Sequence, residues 1–422
     1  MIYTLKVGYL KMTNKSFDFD LIIVGAGPAG FACAHQLRNQ NLKIAIIDKA
    51  SFPRDKICGD ALSADVVNQL YRMDQLLGEK FDSFAQKIDS HGVRFVAPNH
   101  STLDINYKNP NHGNAAGYIS KRLDFDHFLF QQIENQSNIE VFQAENVLDI
   151  IRNSEIIEVY TDQRKLSAKM IVGADGAHSI VNRKLGCIKV EKDHYCAGIR
   201  QYYEGVKGFH ANQHIELHFY KELLPGYFWI FPLPNGQANV GLGMLSSEVS
   251  NKKLDLKKAL FAIIESKPHL KDRFINAISL EKPQGFGLPI GSKKRPISGD
   301  RFLLLGDAAS LIDPFTGEGI GNALRSGRIA SDYIIKAFEN QIFTSKFLKQ
   351  YDQMVYHKMW NELRISRQMQ KLLRYPKLFN FVVNKANSNS SVRTLLTSML
   401  DNVNLKKELV KPGFYFKLMF GG

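Results

Sequence analysis

Three short runs in this 422-residue chain, each a glycine or aspartate turn, suit binding of a phosphate-linked cofactor. They are Gly25-Ala26-Gly27-Pro28-Ala29-Gly30, Gly173-Ala174-Asp175-Gly176 and Gly306-Asp307. The first is the most specific. Gly25 permits a tight turn, Gly27 lets backbone approach a pyrophosphate, and Gly30 lets helix and sheet pack closely. A helix N-terminus at this point offers unpaired N–H groups and partial positive charge to phosphate. Asp48 follows Gly25 by 23 residues, near the ~20-residue spacing of an acid that binds a ribose hydroxyl. The pattern predicts a dinucleotide site.

Each run follows an apolar stretch and precedes a helical one. Residues 20–48 read as strand, helix, strand; Met170-Ile171-Val172-Gly173 and Phe302-Leu303-Leu304-Leu305 read as buried parallel strands. In open α/β sheets, ligands bind beyond the carboxyl ends of the strands, so three such turns can converge on one extended cofactor. The competing reading is that each acid simply caps a helix. Asp124 reads as the N-cap of a helix carrying Phe125, Phe128, Leu129 and Ile133, and a helix is expected from about Leu62 to Leu77. Between about Tyr195 and Met244 alternating strands with Pro-Gly and Asn-Gly turns indicate an inserted antiparallel sheet.

The net charge of +14 is uneven: residues 341–422 hold 14 Lys and Arg against 4 Asp and Glu. A basic end on a near-neutral body argues against a nucleic-acid partner and points to a local patch for phosphates or an anionic membrane face. Arg364, Arg367, Lys371 and Arg374 share one helical face, beside an apolar stripe of Ile365, Met369 and Leu372. The stripe reads as packing on the protein itself or as a membrane-facing surface. The four cysteines, Cys33, Cys58, Cys187 and Cys196, form no C-x-x-C pair, so no zinc, iron–sulfur or disulfide framework is expected, and no metal. No run of ~18 apolar residues spans a bilayer, and the first 17 residues lack a signal-peptide pattern. A cytoplasmic location follows, with Met12 an alternative start after a disordered lead-in.

On these motifs the chain resembles FAD-dependent oxidoreductases of the p-hydroxybenzoate hydroxylase-like superfamily, and within it the geranylgeranyl reductase family. The resemblance is carried by the opening fingerprint, Phe52-Pro53-Arg54-x-Lys56-x-Cys58-Gly59-Asp60-Ala61-Leu62, Ala174-Asp175-Gly176, Gly306-Asp307-Ala308-Ala309 with Pro314 and Gly317-x-Gly319, and Tyr227-x-Trp229-x-Phe231-Pro232 followed by Gly241-x-Gly243. It implies an α/β fold: a discontinuous Rossmann-type FAD domain (18–90, 120–190 and 285–340), an antiparallel substrate domain (91–119 and 191–284), and a basic helical C-terminal region (341–422), after a lead-in at 1–17.

It further implies that Gly25, Ala26, Gly27, Pro28, Ala29 and Gly30 hold the pyrophosphate. Asp48 with Lys49 would meet the adenosine ribose, Arg122 the phosphate region, and Val147 adenine. Asp307 would hold the ribityl chain, and Gly319 and Ile320 would begin the helix facing the flavin. Cys58 and Gly59 would lie beside the ring, with Cys58, Trp229 and Tyr227 as the catalytic candidates and Trp229 with Phe231 as an aromatic wall for an apolar, isoprenoid-like substrate. Cys58 also fits an inert buried thiol, and Trp229 an ordinary sheet aromatic. With no second glycine fingerprint, NAD(P)H would visit the FAD site only transiently. The implied activity is reduction of carbon–carbon double bonds; a flavin monooxygenase, a halogenase and a flavin electron carrier are alternatives. A halogenase needs an active-site lysine, for which Lys80 is a remote candidate.

Overall fold

The computed structural model describes residues 17–107, 115, 117–401 and 407–414. The lead-in up to residue 16 lies outside the described residues. Runs rich in β-branched residues, such as Leu21–Val24 and Ile44–Ile47, are at most 6% exposed. Strands buried on both faces need cover on both sides, as parallel sheets require. Five of them pair in parallel, in the order Phe302–Leu304, Lys165–Gly173, Phe19–Val24, Ile44–Ile47 and Ile139–Phe142. Ser298–Gly299 closes one edge antiparallel, and the meander Val147–Arg152, Ile157–Thr161 leads antiparallel into Lys165–Gly173. The fold class is the α/β arrangement expected from the sequence.

Two helices follow the glycine-bearing turns, Pro28–Leu37 and Ile320–Asn340. They cross where side chains are smallest: a Cβ on Gly327 would collide with the Ala29 carbonyl and lie 2.8 Å from the Ala32 methyl. Cys33 is fully buried at this contact, its thiol pKa pushed up by burial, as befits a small inert hydrophobe.

A second sheet runs Ile278–Ser279, Tyr195–Glu204, Gln237–Leu245, Tyr227–Leu233, Ile215–His218, Gly92–Val96, Thr102–Asn106, with Gln284–Pro289 also on Tyr195–Glu204. Its pairs are antiparallel except Ile215–His218 with Gly92–Val96. Alternation along Tyr227–Leu233 serves two cores. Phe228 and Ile230 pack with the helices Leu256–Ser266 and Pro268–Phe274. Trp229 and Phe231 join residues of the C-terminal helices. A three-stranded sheet is formed by Ala61–Leu62, Gly117–Ile119 and Ile88–Ser90.

Three local expectations differ from the structure. The helix expected to start at Asp124 begins at Arg122, with Lys121 as N-cap. The bidentate Arg122–Asp126 pair, spaced i,i+4, favours drawing Arg122 into the first turn. The helix expected to reach Leu77 is two, Ala64–Met73 and Gln75–Asp82, broken at Asp74, which caps the second by accepting from Leu76 N–H at 2.9 Å. Asp175 likewise serves a helix start: one carboxylate oxygen accepts from Ile180 N–H at 2.6 Å.

Replacing Gly327 with Ala tests the helix crossing. Overpacking against rigid backbone costs ~1–3 kcal/mol, while helix propensity returns at most ~1 kcal/mol. A net loss of stability with an unchanged m-value in urea is expected; equal or higher stability would contradict the close approach.

Candidate cofactor and substrate site

The ends of the parallel strands are tied to one another. Gly25 N–H donates to Ile47 carbonyl, Ala174 N–H to Val24 carbonyl, and Leu305 N–H to Gly173 carbonyl, at 2.8–2.9 Å. The three turns therefore sit side by side. Gly25 has φ +99°, and a Cβ on it would collide with the Ala174 carbonyl. Gly306 has φ +54° and approaches Ala29 and Ala323 so closely that a Cβ would lie 3.2 and 3.1 Å from their methyls. Only glycine meets both demands at these turns.

Asp48 sits at the end of its strand, 7% exposed. Its carboxylate accepts from Ala26 N–H at 2.8 Å and Ala50 N–H at 2.9 Å, so it braces the glycine turn. Glu145 N–H donates to the Asp48 carbonyl at 3.0 Å, which brings the segment carrying Val147 beside the same turn. Lys49 points to solvent. The helix Pro28–Leu37 has no side-chain cap.

The cations are arranged differently from the sequence expectation. Arg122 is buried behind the site, bidentate to Asp126 at 2.6 Å. Burial is the largest influence and would lower its pKa, but the Asp126 charge, the hydrogen bonds to Asp126 and the contact with Cys58 together hold the guanidinium above its ordinary value. Arg54, on the same Asp126 at 2.8 Å, lies against the glycine turn: a Cβ on Gly27 would be 3.2 Å from its Nη2. Asp126, despite burial, is held below the usual carboxylate range by Arg122 and Arg54. Lys56 reaches across to Asp307 at 3.1 Å. An uncapped helix start, an exposed face of Gly27 and a guanidinium beside it suit a diphosphate, and so fit an FAD.

The Cys58–Leu62 segment is fixed to the second sheet by one carboxylate. Asp60 is fully buried with φ +68°, a left-handed conformation that Asp tolerates better than most residues. Its Oδ2 accepts from Tyr202 hydroxyl at 2.7 Å and Asn239 amide at 2.8 Å, and its Oδ1 from Arg122 N–H at 3.3 Å. Asn239 also donates to Cys58 carbonyl at 2.7 Å and accepts from Trp229 Nε1 at 2.9 Å. Arg200, wholly buried, stacks 3.8 Å over the Tyr202 ring and pairs with Asp55 and Glu281. Burial raises the Asp60 pKa to about 6, against the donors and Arg200 that pull it down.

This network brings Cys58, Gly59 and Trp229 together. A Cβ on Gly59 would be 3.0 Å from Phe231 and 3.9 Å from Trp229. The indole lies flat on Gly241, where any Cβ would collide with it. Tyr227 donates its hydroxyl to the Thr316 carbonyl, in the loop that leads to Gly319 and the N-terminus of Ile320–Asn340. Phe219 packs 5.7 Å from Tyr227 and 4.9 Å from Phe379 of the helix Pro376–Ser388. The aromatic face thus looks onto the C-terminal helices.

The basic stripe is partly claimed by the fold. Arg367 donates to Asp193 carbonyl at 3.0 Å and Arg374 pairs with Glu248 at 2.8 Å, while Ile365 is buried. Arg364 and Lys371 remain exposed. Lys80 bonds Gln132 on an outer helix. Sequence reasoning singled out neither Arg54, Asp60, Arg200, Asn239 nor Glu318 as site residues. Arg54, Asp60 and Glu318 stand inside motifs already noted, while Arg200 and Asn239 are identified by long-range contacts.

Substitution of Asp60 has a defined pH signature. Because burial raises its folded pKa from 3.8 to about 6, the folded state holds this proton more tightly than the unfolded chain. Its stabilisation is therefore full below pH ~4 and lost as pH rises to ~6, on the order of 2–3 kcal/mol. The stability of wild type relative to Asp60→Asn should fall across that window in chemical denaturation, and a pH-independent difference would contradict it. Asp60→Ala, which orphans Tyr202 and Asn239, should cost ~1–3 kcal/mol for each orphaned group.

A model of the FAD-binding-domain family matches residues 18–340. A menaquinone reductase of Mycobacterium tuberculosis is 30% identical over 321 residues, covering 75% of this chain and 76% of that protein. A digeranylgeranylglycerophospholipid reductase of Thermoplasma acidophilum is 27% identical over 352 residues, covering 80% and 83%. The solved structure of a geranylgeranyl bacteriochlorophyll reductase-like protein, also from Thermoplasma acidophilum, superposes with a TM-score of 0.75 at 24% identity, covering 87% and 90%. With the glycine turns, the braced Asp48 and Asp307 in one place, the chain belongs to the FAD-binding family and, within it, to the geranylgeranyl reductase group of flavoproteins.

Proposed function

We propose that this FAD-dependent oxidoreductase reduces carbon–carbon double bonds of an isoprenoid chain. The observation that carries the reading is the aromatic face of Tyr227, Trp229 and Phe231, on which the Cys58–Gly59 turn is laid by Asp60 and Asn239. Part of this face packs against the C-terminal helices, and beside the Cys58–Gly59 turn it offers an apolar chain an aromatic wall. The relatives named for lipid and quinone reduction support the same class of substrate.

In this reading the segments 18–90, 120–190 and 285–340 form the FAD domain, and 91–119 with 191–284 the substrate domain. Bound FAD supplies the electron-transfer chemistry. The turn from Gly25 to Gly30, with Arg54 and more distantly Arg122, holds its pyrophosphate. Asp48, flanked by Lys49, takes the ribose, and Val147 meets adenine through its backbone. Asp307 takes the ribityl chain when Lys56 releases it, and Gly319 and Ile320 present the helix N-terminus to the ring. Tyr227 fixes that loop from the substrate side. Cys58 is the side chain placed to touch the substrate or hold a proton near it. NAD(P)H is a transient reductant.

Anaerobic reduction followed by addition of geranylgeranyl lipid should reoxidise the flavin in the absence of oxygen. Reoxidation only in air, with oxygen incorporated into an added substrate, would replace the reductase by a monooxygenase.

Contact with an anionic membrane is the proposed route to a lipid substrate. Among the described residues no helix is long and apolar enough to cross a membrane, so the contact would be peripheral, through Arg364, Lys371 and their neighbours. Flotation with anionic liposomes at low salt should carry the protein upward, less so for the double substitution Arg364→Gln, Lys371→Gln. Protein that stays at the bottom at low salt would refute it.

A further inference from the structure

The loop before the helix Ile320–Asn340 is held rigidly. Asp313 accepts from Phe315 and Thr316 N–H at 2.9 and 2.8 Å, and its own N–H donates to Glu318 carbonyl at 2.8 Å. The Glu318 side chain then turns back to the helix start, where its Oε1 accepts from Gly321 N–H at 2.6 Å. A second acid, Asp65 of the helix Ala64–Met73, meets it there. A Cβ on Gly321 would lie 2.6 Å from Asp65 Oδ2 and 3.1 Å from Glu318 Oε1, so both carboxyls flank one point.

Two carboxylates this close do not both ionise at neutral pH. The two carboxyls are unequally partnered: Asp65 Oδ1 accepts from Arg325 at 2.8 Å and from Gln69 at 2.9 Å. Arg325 is itself shared with Glu362 of the helix Ser345–Leu372 at 3.1 Å. Among the described residues Glu318 accepts only from the Gly321 N–H; the Asp65 and Asp313 charges disfavour its ionised form and the Arg325 charge favours it less strongly. The proton of the pair therefore rests on Glu318. Burial and then the Asp65 charge push this carboxyl up to about 8.

We propose that Glu318 and Asp65 form a shared-proton carboxyl pair whose proton occupancy is tied to the charge on the flavin at the N-terminus of Ile320–Asn340. The proposal rests on the FAD reading above. A helix N-terminus carries roughly half a positive elementary charge. Neutral Glu318 leaves that charge available to an anionic flavin, and ionised Glu318 cancels it. By linkage, negative charge arriving at the flavin on reduction strengthens proton binding at Glu318. Glu318 acts here as a positioning and electrostatic residue, independent of which substrate is reduced.

The test is a spectroelectrochemical titration of the FAD-bound protein between pH 6 and 9.5. Wild type and Glu318→Gln should share one midpoint potential below about pH 7. Above pH 8 the wild-type potential should fall more steeply and lie below that of the variant, because only wild type takes up the extra proton on reduction. In Asp65→Asn the steep segment should move to lower pH. Parallel profiles for wild type and Glu318→Gln at full FAD occupancy would overturn the proposal and leave the FAD reading intact. A purified protein that takes up no FAD on reconstitution would overturn the FAD reading and this proposal with it.

Discussion

The contact on which the site depends is the buried carboxylate of Asp60. It accepts from two residues of the aromatic-lined sheet and from the first residue of the helix Arg122–Phe130. Tyr202 and Asn239 come from the second sheet, and the Arg122 N–H from the helix that follows the first strands. A buried ionised carboxyl is tolerable only when fully hydrogen-bonded. The three donors and the nearby Arg200 charge meet that requirement only partly, which is why its pKa stays elevated. The same three donors fix the direction of the Cys58–Gly59 turn, because Asn239 holds both Asp60 and the Cys58 carbonyl. The position of the turn over Trp229 is thus set by hydrogen bonds, and the indole beneath it by the bare backbone of Gly241.

A second electrostatic tier lies behind the first. Asp126 is buried between Arg122 and Arg54. The pair with Arg122 is fully desolvated, and such pairs seldom add net stability over apolar packing. Its consequence is geometric. Arg122 is held bidentate by Asp126, and Arg54, which shares the same acid and stacks 4.8 Å over Phe52, is the guanidinium against the glycine turn. The division of labour follows from depth: the deeper arginine neutralises the acid and the shallower one is left with donors to spare.

Much of this was legible in the sequence, and the exceptions have a common cause. The glycine fingerprint, Asp48 and the strand ends at Gly173 and Leu305 are local patterns, since each motif contains its own turn chemistry and apolar strand. Asp175 was ambiguous for the same reason: a strand-end aspartate before a helix satisfies a ligand-binding pattern and a capping pattern alike, and here it caps Ile180. What local pattern could not reveal are pairs such as Asp60 with Asn239, 179 residues apart, or Arg200 with Asp55, 145 apart. No periodicity connects such positions. Glu318 was passed over because Gly317-x-Gly319 directs attention to its glycines, while the acid that meets Glu318, Asp65, is far away in sequence.

The C-terminal helices reconcile two features that seemed opposed in the sequence, high positive charge and a central structural role. Their inner residues, Leu373, Phe379, Val383 and Ala386, pack in one core with Trp229, Phe231 and Phe219. Stripped of them, the sheet would expose a contiguous aromatic surface, which soluble monomers rarely tolerate beyond a few hundred Å². The positive charge therefore has to lie on the outer face, where the fold already uses part of it: Arg367 and Arg374 are committed to Asp193 and Glu248. A basic residue near an anionic lipid surface contributes ~1 kcal/mol, so with two of the four stripe cations engaged internally the stripe retains about half its nominal attraction. The charge left on this face is therefore that of Arg364 and Lys371, the two stripe cations exposed to solvent.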